Sequence, residues 1–307
     1  MEESSNHKPA TTTPLNGITV SITDYNQTNG YQRPTDKTLI PEYWKTLWSY
    51  VYLNIVVFTM CYATVVTHRE APDRHIHPPL PDRFMDNLPN ITWGTKGAEV
   101  CIMVLAFVMF GLLVFHKHRT IVFRRFCIIL ATVYIMRIST MLSTALPVLP
   151  PPSECTTQPT DSFYERLVLT FSLWMKSGSR LNGIKMCGDY MFSGHITSLT
   201  LGNLIIIEYS PSNFFILRCF TVVVNVVGSY ILIVGRGHYT VDVIIAVILV
   251  FVVFQYYHTL TSLYVFTNSS NKLRWFPFLW YFERNVCCTV PNEFEIPRLS
   301  HFFTRGK

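Results

Sequence analysis

Cys187-Gly-Asp-Tyr-Met-Phe-Ser-Gly-His195 and Gly235-Arg-Gly-His238-Tyr-Thr-Val-Asp242 bracket two apolar segments, 196–207 and 214–234, joined by Glu208-Tyr-Ser-Pro-Ser-Asn213. A chain that crosses a bilayer and returns brings both of its flanks back to one face. This stretch therefore reads as a membrane hairpin that places His195 and His238 together at one membrane surface, with Asp242 one helical turn beyond the second histidine. Two histidines and a carboxylate at a membrane face point to chemistry on a lipid head group.

The rest of the chain supports a membrane setting. Its 307 residues are 49% hydrophobic and only 14% charged, with a mean hydropathy of +0.26. Soluble domains usually carry about a quarter charged residues. The net charge of +6 is not gathered into a basic stripe, which argues against nucleic acid as a partner. Eight cysteines in a chain this long do not make a disulfide scaffold. Residues 1–36 are polar and lack the apolar core of a cleavable signal, so the first span is expected to direct targeting.

The expected fold is all-α, with six transmembrane helices between two cytosolic tails. Residues 1–40, rich in Thr, Ser, Asn and Pro, read as a disordered N-terminal tail. Residues 41–266 form the membrane domain, with spans at 44–66, 100–115, 121–146, the hairpin and 241–265. Residues 267–307 read as a polar C-terminal tail with aromatic islands. The span that follows His195 is too short as written, so it must run through Tyr209 or begin before the histidine. Lys117, Arg119, Arg124 and Arg125 mark the turn between spans two and three as cytosolic. The loops at 68–96 and 147–194, and the histidines with them, then face the lumen or exterior. Cys155 and Cys187 in the longer loop are either a disulfide or two free thiols, and Cys287 and Cys288 in the tail are either palmitoylated or plain thiols. Asn90-Ile-Thr92 is a lumenal glycosylation sequon lying close to span two.

An Asp242 carboxylate that accepts from one imidazole nitrogen of His238 would fix its tautomer and leave the other nitrogen free to attack. The plain alternative is a helix-capping aspartate beside a solvated histidine. Ser193-Gly-His195 is weak alone and gains weight from its position across the hairpin. Gly194 permits close backbone approach to a ligand, Ser193 can donate to a phosphate oxygen, and a second histidine can protonate a leaving oxygen. Arg137, charged inside span three, either holds a phosphate or pairs with an acid, and Arg236 either reaches the same phosphate or is a solvated loop residue. The candidate catalytic residues are thus His195, His238 and Asp242. Arg137, Asp189, Tyr190, Ser193 and Arg236 are the candidate substrate-binding residues. No metal or other cofactor is expected, because the acids are not clustered and a nucleophilic histidine needs none.

These blocks resemble the sphingomyelin synthase family. The likeness runs through Pro78-Pro-Leu-Pro-Asp82, Val122-Phe-Arg-Arg-Phe-Cys-Ile128, Arg137 and Pro147-Val148. It continues through the block ending at His195, Glu208-Tyr-Ser-Pro211, the block ending at Asp242, Tyr256-Tyr-His258, Tyr281-Phe-Glu-Arg-Asn-Val286 and Val290-Pro291. It covers about residues 41–297. The resemblance implies a helical core like that of lipid phosphate phosphatases and a triad of His195, His238 and Asp242. It also implies a site on the exoplasmic leaflet of the Golgi or plasma membrane. The implied reaction moves phosphocholine from phosphatidylcholine to the primary hydroxyl of ceramide, giving sphingomyelin and diacylglycerol. By analogy with the phosphatases, His238 would be the nucleophile, with the reverse assignment open. Ile196, where the family usually has Thr, and Gly235-Arg-Gly before the second histidine depart from its pattern, which leaves the head group of the donor open. A phosphatidylethanolamine donor, a lipid phosphate phosphatase and a non-catalytic membrane protein are the alternatives. Homo-oligomerisation is left open.

Overall fold

The computed structural model describes residues 39, 41–72, 76–147, 149, 162–175, 190–267, 277–286 and 290–295. Among these lie eight α-helices. They are α1 (Tyr43–Arg69), α2 (Gly94–Phe115), α3 (Arg119–Ser143), α4 (Phe163–Met175), α5 (Gly194–Tyr209), α6 (Phe215–Val234), α7 (Thr240–Thr267) and α8 (Pro277–Glu283). The all-helical class expected from the sequence holds. Helices α1, α2, α3, α6 and α7 are each long and apolar enough to cross a bilayer. The protein is a multi-pass membrane protein.

Helix α5 stands where the sequence puts its short span, and it runs from Gly194 through Tyr209. Its 16 residues rise about 24 Å, short of a hydrocarbon core of about 30 Å. Length therefore qualifies five of the six expected spans. Helix α5 is the inner helix of the bundle. Ten of its residues are buried, among them Ile196, Leu199, Leu201, Ile205 and Ile206, and α2, α3, α6 and α7 pack around it. A helix that is apolar all round must be covered on every side. The outer helices instead turn Phe107, Phe110, Val223, Val226, Ile248 and Phe251 outward, as lipid permits and water does not.

Two regions read as loop and tail carry structure. The stretch 147–194 contains α4, packed on α1. Thirteen residues are too few to announce a span, and the prolines before them hide the helix. In the C-terminal region, α8 docks on the bundle and residues 290–295 lie across the α2–α3 turn. There Lys117 N donates to Glu293 O at 2.9 Å and Glu295 N to Phe115 O at 2.8 Å. Asn292 Nδ2 reaches Glu208 O at 2.8 Å. Cys155, Cys187, Asp189, Cys287, Cys288 and residues 1–38 lie outside the described residues.

Candidate active site

The turn between α6 and α7 carries His238, and its glycines decide where that turn rests. A Cβ on Gly235 would come within 2.7 Å of Gly94 Cα, and one on Gly237 within 2.8 Å of Thr95 Cγ2. The two backbones touch, so the turn sits directly on the start of α2. Arg236 between the glycines takes a left-handed φ of 51°, a conformation that costs an ordinary residue energy. The departure Gly235-Arg-Gly is thus what lets the His238 turn seat against α2.

His238 Nδ1 lies 3.4 Å from Asp242 Oδ2, and both side chains are almost wholly buried. The same carboxylate oxygen accepts from Tyr239 N at 3.3 Å. Asp242 sits in the first turn of α7, where the helix dipole favours a negative charge. Across the site, Ser193 caps α5 by accepting from Ile196 N at 3.3 Å. Its own N–H donates to Asp242 O at 3.4 Å. That main-chain bond ties the start of α5 to the start of α7. His195 and His238 then face each other with ring centroids 6.3 Å apart. Two helix N-termini and two imidazoles converge, a setting suited to an anionic phosphate.

His195 has a carboxylate of its own. Glu99 of α2, itself buried, brings Oε1 to 3.7 Å from His195 Nε2. An acid held inside a span is costly without a partner, and this one meets an imidazole. The sequence signal was the acid itself in Gly97-Ala-Glu-Val100. A loop ending at 96 and a span beginning at 100 leave Glu99 between them, whereas α2 begins at Gly94 and includes it.

Of the other candidates, Arg137 is buried under the first block. Its Nε donates to Phe192 O at 2.9 Å, and its guanidinium packs on Gly194, where a Cβ would come within 3.0 Å of Nη1. Tyr190 sets its ring edge-to-face on His238 at 6.0 Å and accepts from Leu149 N at 3.2 Å. Ser193 is fully buried at the cap, and Ile196 is fully buried in the apolar core. The Ile196 departure is therefore a matter of packing. Arg236 Nε is buried with no hydrogen-bond partner among the described residues. Among the same residues, no group of acids, cysteines and histidines could hold a metal ion.

Asp82 reaches the start of α7 from the first loop. Its Oδ2 accepts from Thr240 N at 2.6 Å and its Oδ1 from Thr240 Oγ1 at 2.9 Å, so a distant residue supplies the cap of α7. Burial pushes this carboxyl upward, but the bonds from Thr240, Met85 and Phe84 outweigh it and hold it below the usual carboxylate range. The cap is therefore fully present above that range and is lost only as pH falls through the depressed value. A cap is worth about 0.5–2 kcal/mol. Asp82→Ala is expected to lower the melting temperature in detergent and to slow turnover through a loosened α7. An unchanged melting temperature and rate would show that α7 holds its start without this residue.

The described geometry can be set beside known proteins. Residues 186–259 match the PAP2 superfamily C-terminal family. The chain is 31% identical over 301 residues to human phosphatidylcholine:ceramide cholinephosphotransferase 1, covering 93% of this chain and 73% of that protein. It is 32% identical to phosphatidylcholine:ceramide cholinephosphotransferase 2 of Rattus norvegicus, covering 96% and 83%. The chain belongs to the sphingomyelin synthase family. It is also 38% identical over 270 residues to human sphingomyelin synthase-related protein 1, covering 88% of this chain and 65% of that protein. The mouse counterpart is 38% identical and is covered over 58% of its length. The chain thus spans less than two thirds of these related proteins. Both histidines and Asp242 fall inside the PAP2 match, whereas Asp82, Glu99 and Arg137 lie outside it. The candidate site of this chain is therefore drawn from the matched segment together with α2, α3 and the first loop.

Proposed function

We propose that this protein transfers phosphocholine from phosphatidylcholine to the primary hydroxyl of ceramide, giving sphingomyelin and diacylglycerol. The observation that carries the reading is the pair of facing imidazoles, each with its own carboxylate, at the starts of α5 and α7. With Asp242 at Nδ1, the Nε2 of His238 attacks phosphorus and the bond to the diacylglycerol oxygen breaks. His195 gives that oxygen a proton. Ceramide enters, its hydroxyl loses a proton to His195, and its oxygen attacks phosphorus. The phosphorus–nitrogen bond then breaks, releasing sphingomyelin and restoring His238. Glu99 stabilises His195 whenever it is protonated. Arg137 holds the backbone of the first block, Arg236 and Tyr190 serve the head group, and Asp189 is assigned to it from the sequence alone. The reaction runs on the exoplasmic leaflet of the Golgi or plasma membrane, with six spans and both tails in the cytosol.

One observation favours keeping a second donor in view. Identity is 38% to the related proteins, whose name states no donor, against 31% and 32% to the named cholinephosphotransferases. Membranes expressing this chain, given labelled ceramide with phosphatidylcholine or phosphatidylethanolamine, test both. Labelled sphingomyelin from phosphatidylcholine is the expected result. Product from phosphatidylethanolamine alone keeps the mechanism and changes the product. No transfer from either donor overturns the synthase reading.

A further inference from the structure

Helix α4 has two apolar faces, and among the described residues only one of them meets protein. Leu169, Leu173 and Trp174 pack on Val57, Cys61 and Val65 of α1. Trp174 also meets Phe58 edge-to-face at 6.2 Å. On the opposite side Tyr164, Val168, Phe171 and Met175 form one stripe, at spacings that share a helix face. These four are 73%, 49%, 54% and 65% exposed. Glu165 and Arg166 are the helix's charged residues, and both lie in its first turn.

The partner helix fixes the depth of α4. Helix α1 has 27 residues, which rise about 40 Å and match a bilayer with its head-group regions. Phe58 stands about 22 Å along that length, near the midplane, and Val65 about 33 Å along, toward the far boundary. Met60, between them, meets Arg137 Nη1 at 3.9 Å, so the α4 contacts lie at the depth of the candidate site. An apolar stripe at this depth faces hydrocarbon unless protein covers it. A 13-residue helix cannot span a bilayer, and this length suits a segment that enters one leaflet. The charged first turn and the deep Trp174 give it a polar shallow end and an apolar deep end.

We infer that α4 is a half-span helix inserted beside α1 into the leaflet that faces the candidate site, with Tyr164, Val168, Phe171 and Met175 in contact with lipid acyl chains. This goes beyond the proposed reaction and does not depend on it. It removes part of the loop between α3 and α5 from the aqueous phase. It also gives the site a lipid-facing flank next to α1.

The test places the photoreactive residue p-benzoylphenylalanine at Phe171, and separately at Val168, in the full chain in its membranes. Phe107 of α2 and Phe251 of α7, exposed on spanning helices, serve as lipid-facing controls. After irradiation, mass spectrometry is expected to find phospholipid adducts at Phe171 and Val168 in yields like those of the controls. Two positions guard against a single variant that fails to fold. Lipid adducts at the controls with none at either α4 position would place the stripe in water and overturn the inference. Crosslinks from α4 to a second copy of the chain, or to another protein, would overturn it in favour of a protein interface.

Discussion

His238→Ala is expected to abolish head-group transfer, and His195→Ala to slow it without preventing the first half of the reaction. The expected losses differ because the two imidazoles do different work. Loss of a covalent nucleophile typically costs on the order of 10⁴–10⁶ in kcat. Loss of a general acid/base costs about 10²–10⁴, or roughly 3–5 kcal/mol of barrier. The geometry favours His238 as nucleophile. It is the more buried of the two, and its Asp242 partner is fixed by Tyr239 N and by the main-chain link to Ser193. His195 is about one-fifth exposed and meets the more distant Glu99, as suits a group that exchanges protons with two successive substrates. The decisive experiment offers head-group-labelled phosphatidylcholine without ceramide and quenches in alkali, where phosphohistidine survives. Wild type should retain label on the protein, His195→Ala should retain it after slower formation, and His238→Ala should retain none. Label on His238→Ala but not on His195→Ala would reverse the roles. Label on none of the three would end the covalent route.

How much of this was legible before folding depends on how far each signal reaches along the chain. The α5–α6 pair and its flanking histidines could be read because both apolar segments and both flanks fall within 56 consecutive residues, 187–242. His238 and Asp242 could be paired because four residues make one helical turn. Glu99 and Asp82 could not be paired with anything, since their partners lie on other elements and no local period points to them. Asp82 stands in the block Pro78–Asp82, and its role as the cap of α7 emerges from a contact across 158 positions. Helix α4 escaped notice because 13 residues give neither a span nor a clean alternation. The basic turn had a different fate. In the sequence Lys117, Arg124 and Arg125 mark this turn by their positive charge, yet each meets a carboxylate in space, on Glu293, Glu42 and Glu283 respectively. Membrane orientation follows the count of Lys and Arg and gives acids little weight, so these pairings leave the cytosolic placement of the turn as an expectation.

Those pairings lead to the largest expected stability effect, Glu283→Ala. Glu283 of α8 is fully buried and takes a two-point bond from Arg125, with Nε to Oε1 at 3.1 Å and Nη2 to Oε2 at 2.7 Å. Tyr257 donates to the same carboxylate at 2.9 Å, and Arg125 also donates to Tyr209 at 3.0 Å. One carboxylate therefore joins α8 to α3 and α7, and through Arg125 to α5. Burial alone would push this carboxyl upward, but Arg125 and Arg124 hold it below the usual carboxylate range. Its contribution is therefore present above that range and is lost as pH falls through the depressed value. Removing one partner of a buried pair strands the other charge, a cost of about 3–5 kcal/mol. Glu283→Ala is accordingly expected to lose most of its folded fraction in detergent. Replacing both partners with apolar residues, Arg125→Met with Glu283→Leu, removes the stranded charge and should recover much of that loss. A double-mutant cycle on melting temperature reads the coupling directly. If the double variant is as unstable as the sum of the two singles, the pair is not what docks α8, and the docking must come from the packing of Leu279 and Phe282 in the core.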